Sequence, residues 1–100
     1  MAGISTHVLD AARGVPAAGV PVTLTTPAGT VHEGVTDADG RIGDLYEGTL
    51  TAGVHTLVFT VGGAAFFPEV TIAFTVDPER GHYHVPLLLS PYSYTVYRGS

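Results

Sequence analysis

The chain is predicted to be all-β, a sandwich or barrel built from eight short strands. Apolar residues recur with period two, and the 3.6 period of an amphipathic helix is nearly absent. Turn signals built on Gly, Pro and Asp return about every 8–12 residues. The one stretch that could hold a helical turn, 62–68 (GGAAFFP), is too short for a stable helix.

The elements follow in order. Residues 4–9 (ISTHVL) read as the first strand, closed by a turn-rich stretch at Arg13-Gly14-Val15-Pro16. Residues 20–26 (VPVTLTT) alternate, with Val20, Val22 and Leu24 on one face and Pro21, Thr23 and Thr25 on the other. Pro27-Ala28-Gly29 turns the chain, and 30–36 (TVHEGVT) returns as the third strand. Asp39-Gly40 is a hairpin signal, because both residues tolerate positive φ. A short edge strand is expected near 41–46. Residues 53–61 (GVHTLVFTV) put His55, Leu57, Phe59 and Val61 on one face. Gly62-Gly63 ends that strand. Residues 69–76 (EVTIAFTV) make the sixth, stopped by Asp77-Pro78-Glu79-Arg80-Gly81. Residues 82–90 (HYHVPLLLS) and 92–97 (YSYTVY) make the last two.

Val85-Pro86-Leu87-Leu88-Leu89 breaks the alternation by being apolar on both faces. A sandwich sheet usually turns one face to water. The stretch is therefore expected to be covered, either by another subunit or by a loop of the same chain. Pro86 has no N–H for the ladder, so an edge or bulge is expected there.

Composition narrows the functions. One hundred residues, expected to form a single domain over 1–100, with 45% hydrophobic and 13% charged residues, support a real core. The net charge is −5, which argues against nucleic acid and anionic membrane as partners. With no cysteine, thiol catalysis, disulfides and Cys-based zinc sites are all removed. The opening residues show no signal peptide, and no apolar run reaches the ~20 residues of a membrane helix. A cytoplasmic location is the expectation. A domain of this size without staples is expected to gain from oligomerisation.

Five histidines are the main chemical candidates. His7 lies in the first strand. His82 and His84 are two apart in one strand and share a face. His32 and His55 lie in other strands, where a structural or surface role is the commoner one. His-x-His could offer two zinc ligands with His7 as a third, but no carboxylate stands beside them in sequence to orient the rings. The segment Asp37-Ala38-Asp39-Gly40 fails the calcium-loop pattern, since Val35 and Tyr46 hold its first and twelfth positions. Arg41 could be a surface charge or a forked clamp for an anion or carbonyl. The aromatic C-terminal strand running into Tyr97-Arg98-Gly99-Ser100 could deliver a hydroxyl, a guanidinium and the chain carboxylate to one place. No nucleophile elbow, phosphate loop or dinucleotide fingerprint occurs.

Three segments carry a family resemblance: STHVLD at 5–10, TDADGR at 36–41, and HYHVPLLLSPYSYTVYRGS at 82–100. With them the chain resembles the transthyretin-like family of 5-hydroxyisourate hydrolases. The closing Tyr-Arg-Gly-Ser tetrapeptide marks the enzymes of that superfamily and is missing from its hormone carriers. The resemblance implies an eight-stranded two-sheet β-sandwich, assembled as a dimer of dimers with sites between facing dimers. By motif, it implies catalytic roles for His7, Arg41 and His84, and substrate binding by Tyr97, Arg98, Gly99 and Ser100. His82 matches a histidine that is not usually catalytic. The implied reaction is metal- and cofactor-free hydrolysis of 5-hydroxyisourate in urate catabolism, by a homotetramer. The alternative is a carrier of a small aromatic ligand without turnover. One departure from the family is the stub at 62–68, where relatives usually place a short helix.

Overall fold

The computed structural model describes residues 3–99. Its strands are β1 (Gly3–Asp10), β2 (Val15–Pro16), β3 (Pro21–Thr25), β4 (Val31–Val35), β5 (Arg41–Glu47), β6 (Gly53–Thr60), β7 (Glu69–Val76), β8 (His82–Ser90) and β9 (Ser93–Val96). One turn of 3-10 helix, Pro78–Arg80, separates β7 from β8. No helix among the described residues is long and apolar enough to cross a membrane.

Eight of these strands are those the alternation marks. The ninth, β2, falls inside the stretch expected to be only a turn. The Asp10 carboxylate accepts the Ala12 and Arg13 N–H groups, and the Gly14 N–H donates to the Asp10 carbonyl at 2.8 Å. Gly14 takes the positive φ of 69° that this reversal requires. The chain therefore folds straight back, and Pro16 and Val15 pair with Leu9 and Asp10.

Two sheets face each other. One has the order β4-β3-β6-β7. The other runs β2-β1-β8-β9, with β5 also on β1. On one edge β1 pairs in parallel with β8, from Gly3↔His82 to Asp10↔Leu89. On its other edge β5 pairs with Gly3 to His7, and β2 with Leu9 and Asp10.

The core fills the space between the sheets. Ile4, Val8, Leu24, Leu57, Phe59, Val70 and Leu87 are fully enclosed. Each such side chain stabilises the fold by about 1.5–3 kcal/mol relative to exposure. Polar groups that enter this layer are satisfied. Thr6 Oγ1 donates to the Val85 carbonyl at 2.7 Å, and Thr36 Oγ1 donates to Ala17 O while accepting from Val20 N. His55 is buried on the Leu57/Phe59 face, with Nδ1–H donating to Gly53 O and its ring against Phe74. It is a core residue.

In the doubly apolar stretch of β8, Val85 and Leu87 fill the core, Pro86 is also buried, and Leu88 and Leu89 are half-buried. The ladder to β9 runs from Ser90↔Ser93 to Leu87↔Val96 and stops next to Pro86. It resumes in the same register as a single bridge, His84↔Gly99. The missing Pro86 N–H accounts for the gap.

The 62–68 stub forms turns and bends, closed where the Val61 and Gly62 N–H groups both donate to Pro68 O. Phe66 and Phe67 pack edge-on against Tyr92 and Tyr94.

Candidate active site

Paired residues in adjacent strands share a face of the sheet. The parallel β1–β8 register sets Gly3, Ser5 and His7 beside His82, His84 and Pro86. The alternate residues Ile4, Thr6, Val8, Tyr83, Val85 and Leu87 are buried, so the histidine row faces away from the core. Arg41, first residue of β5, pairs with His7 and joins that face. Side chains far apart in sequence thus meet because one strand, β1, has β5 on one edge and β8 on the other.

An open groove of about 360 Å³ lies here, lined by Ser5, Thr6, Arg41, Gly43, His82 and His84. A larger cavity of about 510 Å³, lined by residues that include Asp10, Arg13, Val20, Val61 and Leu89, contains no imidazole. Chemistry, rather than size, therefore favours the groove.

Ser5 Oγ sits between two imidazoles, 2.7 Å from His82 Nε2 and 2.8 Å from His84 Nδ1. A hydroxyl has one proton to donate, so at least one of these rings donates to it. With Nδ1 engaged, His84 keeps Nε2 for a ligand. Half-burial, then the charges of Arg41, His7 and His82, hold the His84 pKa below the ordinary histidine value. His84 is therefore a neutral imidazole at neutral pH. His7 Nε2 lies 2.9 Å from the Asp39 carbonyl. A carbonyl only accepts, so His7 Nε2 carries a proton, which leaves Nδ1 as the ring nitrogen turned to other partners.

The turn before β5 aims Arg41. Asp37 Oδ1 accepts the N–H groups of Asp39 and Arg41 at 2.9 and 3.0 Å, and Gly40 N–H donates to Asp37 O. Those backbone donors, the Arg41 one foremost, hold the Asp37 carboxyl below the usual range. Gly40 is required: its φ is 75°, and a Cβ there would collide with the Val8 carbonyl. Among the described residues the Arg41 guanidinium is in no ion pair.

The tail divides. Gly99 N–H donates to His84 O at 2.8 Å, and a Cβ on Gly99 would lie 2.5 Å from His84 Cδ2. Glycine is needed because the imidazole packs on the bare backbone. Arg98 lies with its guanidinium 4.9 Å above the ring of Tyr83, a residue of the core-facing row. Its partner among the described residues is this aromatic face. Tyr97 is half-exposed and lines, with Arg98, Phe74 and Tyr83, a separate cavity of about 290 Å³. Ser100 lies outside the described residues.

Of the residues expected at the site, Arg41 and His84 line the groove, His7 stands at its rim, and Gly99 backs His84. Ser5 and Gly43 are additions, and His82 is drawn in through Ser5. His-x-His already marks a shared face. What sequence spacing lacks is the parallel pairing that sets Ser5 beside His84. Among the described residues no group of three or more His, Asp or Glu side chains is placed to hold a metal.

Fold and face together define a two-sheet sandwich protein with an acid–base groove on the outer side of one sheet. Residues 4–99 match the HIUase/Transthyretin family, and the chain belongs to it. A 5-hydroxyisourate hydrolase of Deinococcus radiodurans is 45% identical over 114 residues, covering 98% of this chain and 96% of the relative. The solved structure of Klebsiella pneumoniae 5-hydroxyisourate hydrolase matches with a TM-score of 0.89 at 34% identity, covering 100% of both chains. Sea bream transthyretin in complex with thyroxine matches with a TM-score of 0.82 at 33% identity, over 96% of this chain and 93% of that one.

Proposed function

We propose that this protein hydrolyses 5-hydroxyisourate, opening its six-membered ring to 2-oxo-4-hydroxy-4-carboxy-5-ureidoimidazoline. The observation that carries this reading is the convergence of a neutral imidazole, His84, and the guanidinium of Arg41, in no ion pair among the described residues, in one groove. Water adds across a carbonyl–nitrogen bond. His84 Nε2 takes the water proton, hydroxide attacks the carbonyl carbon, and the forked Arg41 cation stabilises the negative charge that builds on oxygen. The carbon–nitrogen bond then breaks as nitrogen takes up the proton. His7, fixed through Asp39, orients the water with its free Nδ1. Each of these steps uses the chain's own side chains.

In this reading the tail has two jobs. Arg98 anchors it by lying on Tyr83, and Gly99 holds the His84 ring in place. Tyr97 and Ser100 are assigned to substrate by the family resemblance. The assembly is a homotetramer in the cytoplasm, in which a second copy closes the groove. Half-buried Leu88, two residues along β8 from buried Pro86, supports an interface on this face.

The test is spectroscopic. Urate is oxidised in situ to give 5-hydroxyisourate, the protein is added, and the near-ultraviolet absorbance of the intermediate is followed. Accelerated decay is expected. Decay at the spontaneous rate, with binding of an aromatic ligand, would establish the carrier reading instead.

A further inference from the structure

Ser5 and His82 have no part in the scheme above, yet Ser5 Oγ is within hydrogen-bond distance of His82 Nε2 and His84 Nδ1 at once. Two side chains of β8 are joined through a hydroxyl of β1. We propose that Ser5 and His82 are positioning residues acting through His84, forming a relay that carries the proton taken from water out of the groove and returns it.

At the start His84 holds its proton on Nδ1 and donates to Ser5 Oγ, Ser5 donates to His82 Nε2, and His82 is neutral with its proton on Nδ1. When His84 Nε2 takes the water proton, the Nδ1 proton passes to Ser5 Oγ. The Ser5 proton passes to His82 Nε2. His84 is again neutral, now protonated on Nε2, and His82 is the imidazolium. In ring opening the Nε2 proton goes to the leaving nitrogen, and the two relay protons move back. Water's hydroxide is then on carbon and its proton equivalent on nitrogen, with the protein restored.

Electrostatics give the relay its direction. Burial foremost, then the charge of Arg41 beside it, disfavours a lasting positive charge on His84. His82 is exposed in the protomer whereas His84 is half-buried, so a positive charge costs less on His82. Across β1 the residue opposite Gly3 is Glu47, the carboxylate-bearing position nearest in register to His82. Gly3 leaves the room His82 occupies: a Cβ there would lie 3.2 Å from His82 Nδ1 and 2.8 Å from Tyr46 O.

This inference rests on the proposed hydrolysis, and its test separates the two. Turnover of 5-hydroxyisourate is measured for the full chain and for Ser5→Ala, Ser5→Thr and His82→Gln, in water and in mixtures with deuterium oxide. Glutamine can still accept the Ser5 hydrogen bond but cannot take a proton, so it keeps orientation and removes the relay. The expected result is a kcat about tenfold or more lower in Ser5→Ala and His82→Gln, with KM little changed. Ser5→Thr keeps the hydroxyl and should stay near the parent rate. The dependence of kcat on deuterium fraction should be curved in the parent and linear in His82→Gln. Parent-like kcat and curvature in His82→Gln would overturn the relay while leaving the hydrolysis intact. If the parent itself shows no turnover, the hydrolysis fails, and nitrogen-15 spectra of the histidine rings decide the relay. They should place the His84 proton on Nδ1 in the parent and lose that preference in Ser5→Ala. An Nε2–H tautomer of His84 in the parent would overturn it.

Discussion

At His84 three constraints meet: Ser5 engages Nδ1, Gly99 supports the ring, and burial, followed by the charge of Arg41, discourages its cation. Together they leave Nε2 basic, fixed and unprotonated at neutral pH. His84→Asn should lower kcat by at least about a hundredfold, the usual loss for a positioned base, with the circular dichroism spectrum unchanged. Parent-like turnover would remove His84 from the mechanism. Gly99→Ala is a subtler probe, because the new Cβ must push the His84 ring from its place. Displacement of a reacting group by about 1 Å can cost as much as a hundredfold, so kcat should drop by about tenfold or more. The melting temperature should barely move, since the change lies in the terminal tail. The pH profile follows from the lowered His84 pKa. The unprotonated base persists below the usual histidine value, so the acid limb of kcat/KM should have its midpoint below pH ~6.5. A midpoint above that value would contradict the burial of the ring and the charge of Arg41 beside it.

At the scale of elements, the pairing of β1 with β8 builds the groove, and Thr6 ties the two strands from the core side. Its Oγ1 donates to Val85 O, directly behind the Ser5–His84 contact. Thr6→Val keeps the volume and removes that donor, which should cost about 1 kcal/mol in urea unfolding. No loss would mean that the strand ladder alone fixes the register. The strands themselves were legible in sequence. Val20, Val22 and Leu24 are buried as alternation requires, whereas Asp39-Gly40 turns the chain without closing a hairpin: only Gly40 takes a positive φ, and the turn carries the chain from β4 in one sheet to β5 in the other. Strand identity is local, whereas strand neighbours are not. Nothing in the spacing of residues 4–9 and 82–90 says that they run parallel, and without that Ser5 is an ordinary strand serine. The short β2 escaped for a related reason: Arg13-Gly14-Val15-Pro16 reads as a turn, and the pairing of Val15 and Pro16 depends on how tightly the chain closes on Asp10. The family motifs pointed to Arg41 and His84 without any such knowledge. Arg98, which they assign to substrate, has its guanidinium over the Tyr83 ring in the single chain.

For the whole molecule, stability and assembly are linked through the same two sheets. Phe59 is wholly enclosed between them, and Phe59→Ala should remove about 3–5 kcal/mol, a large part of the 5–15 kcal/mol that holds a typical domain together. The proposed assembly would act on the outer side. One protomer leaves the His84–Arg41 groove open to water, where a guanidinium stabilises developing charge weakly. A second copy across this face would exclude water and strengthen that interaction. Leu88 is on β8 at the same alternation as His84 and Pro86, and it is half-buried in the single chain. Leu88→Glu should therefore act on the interface before it acts on the core. Light scattering should show a smaller assembly than that of the parent, for which a tetramer is proposed, and kcat should fall with it while the melting curve of the smaller species stays cooperative. A Leu88→Glu protein that remains tetrameric would remove β8 from the interface. One that dissociates yet turns over at the parent rate would show that each groove works alone.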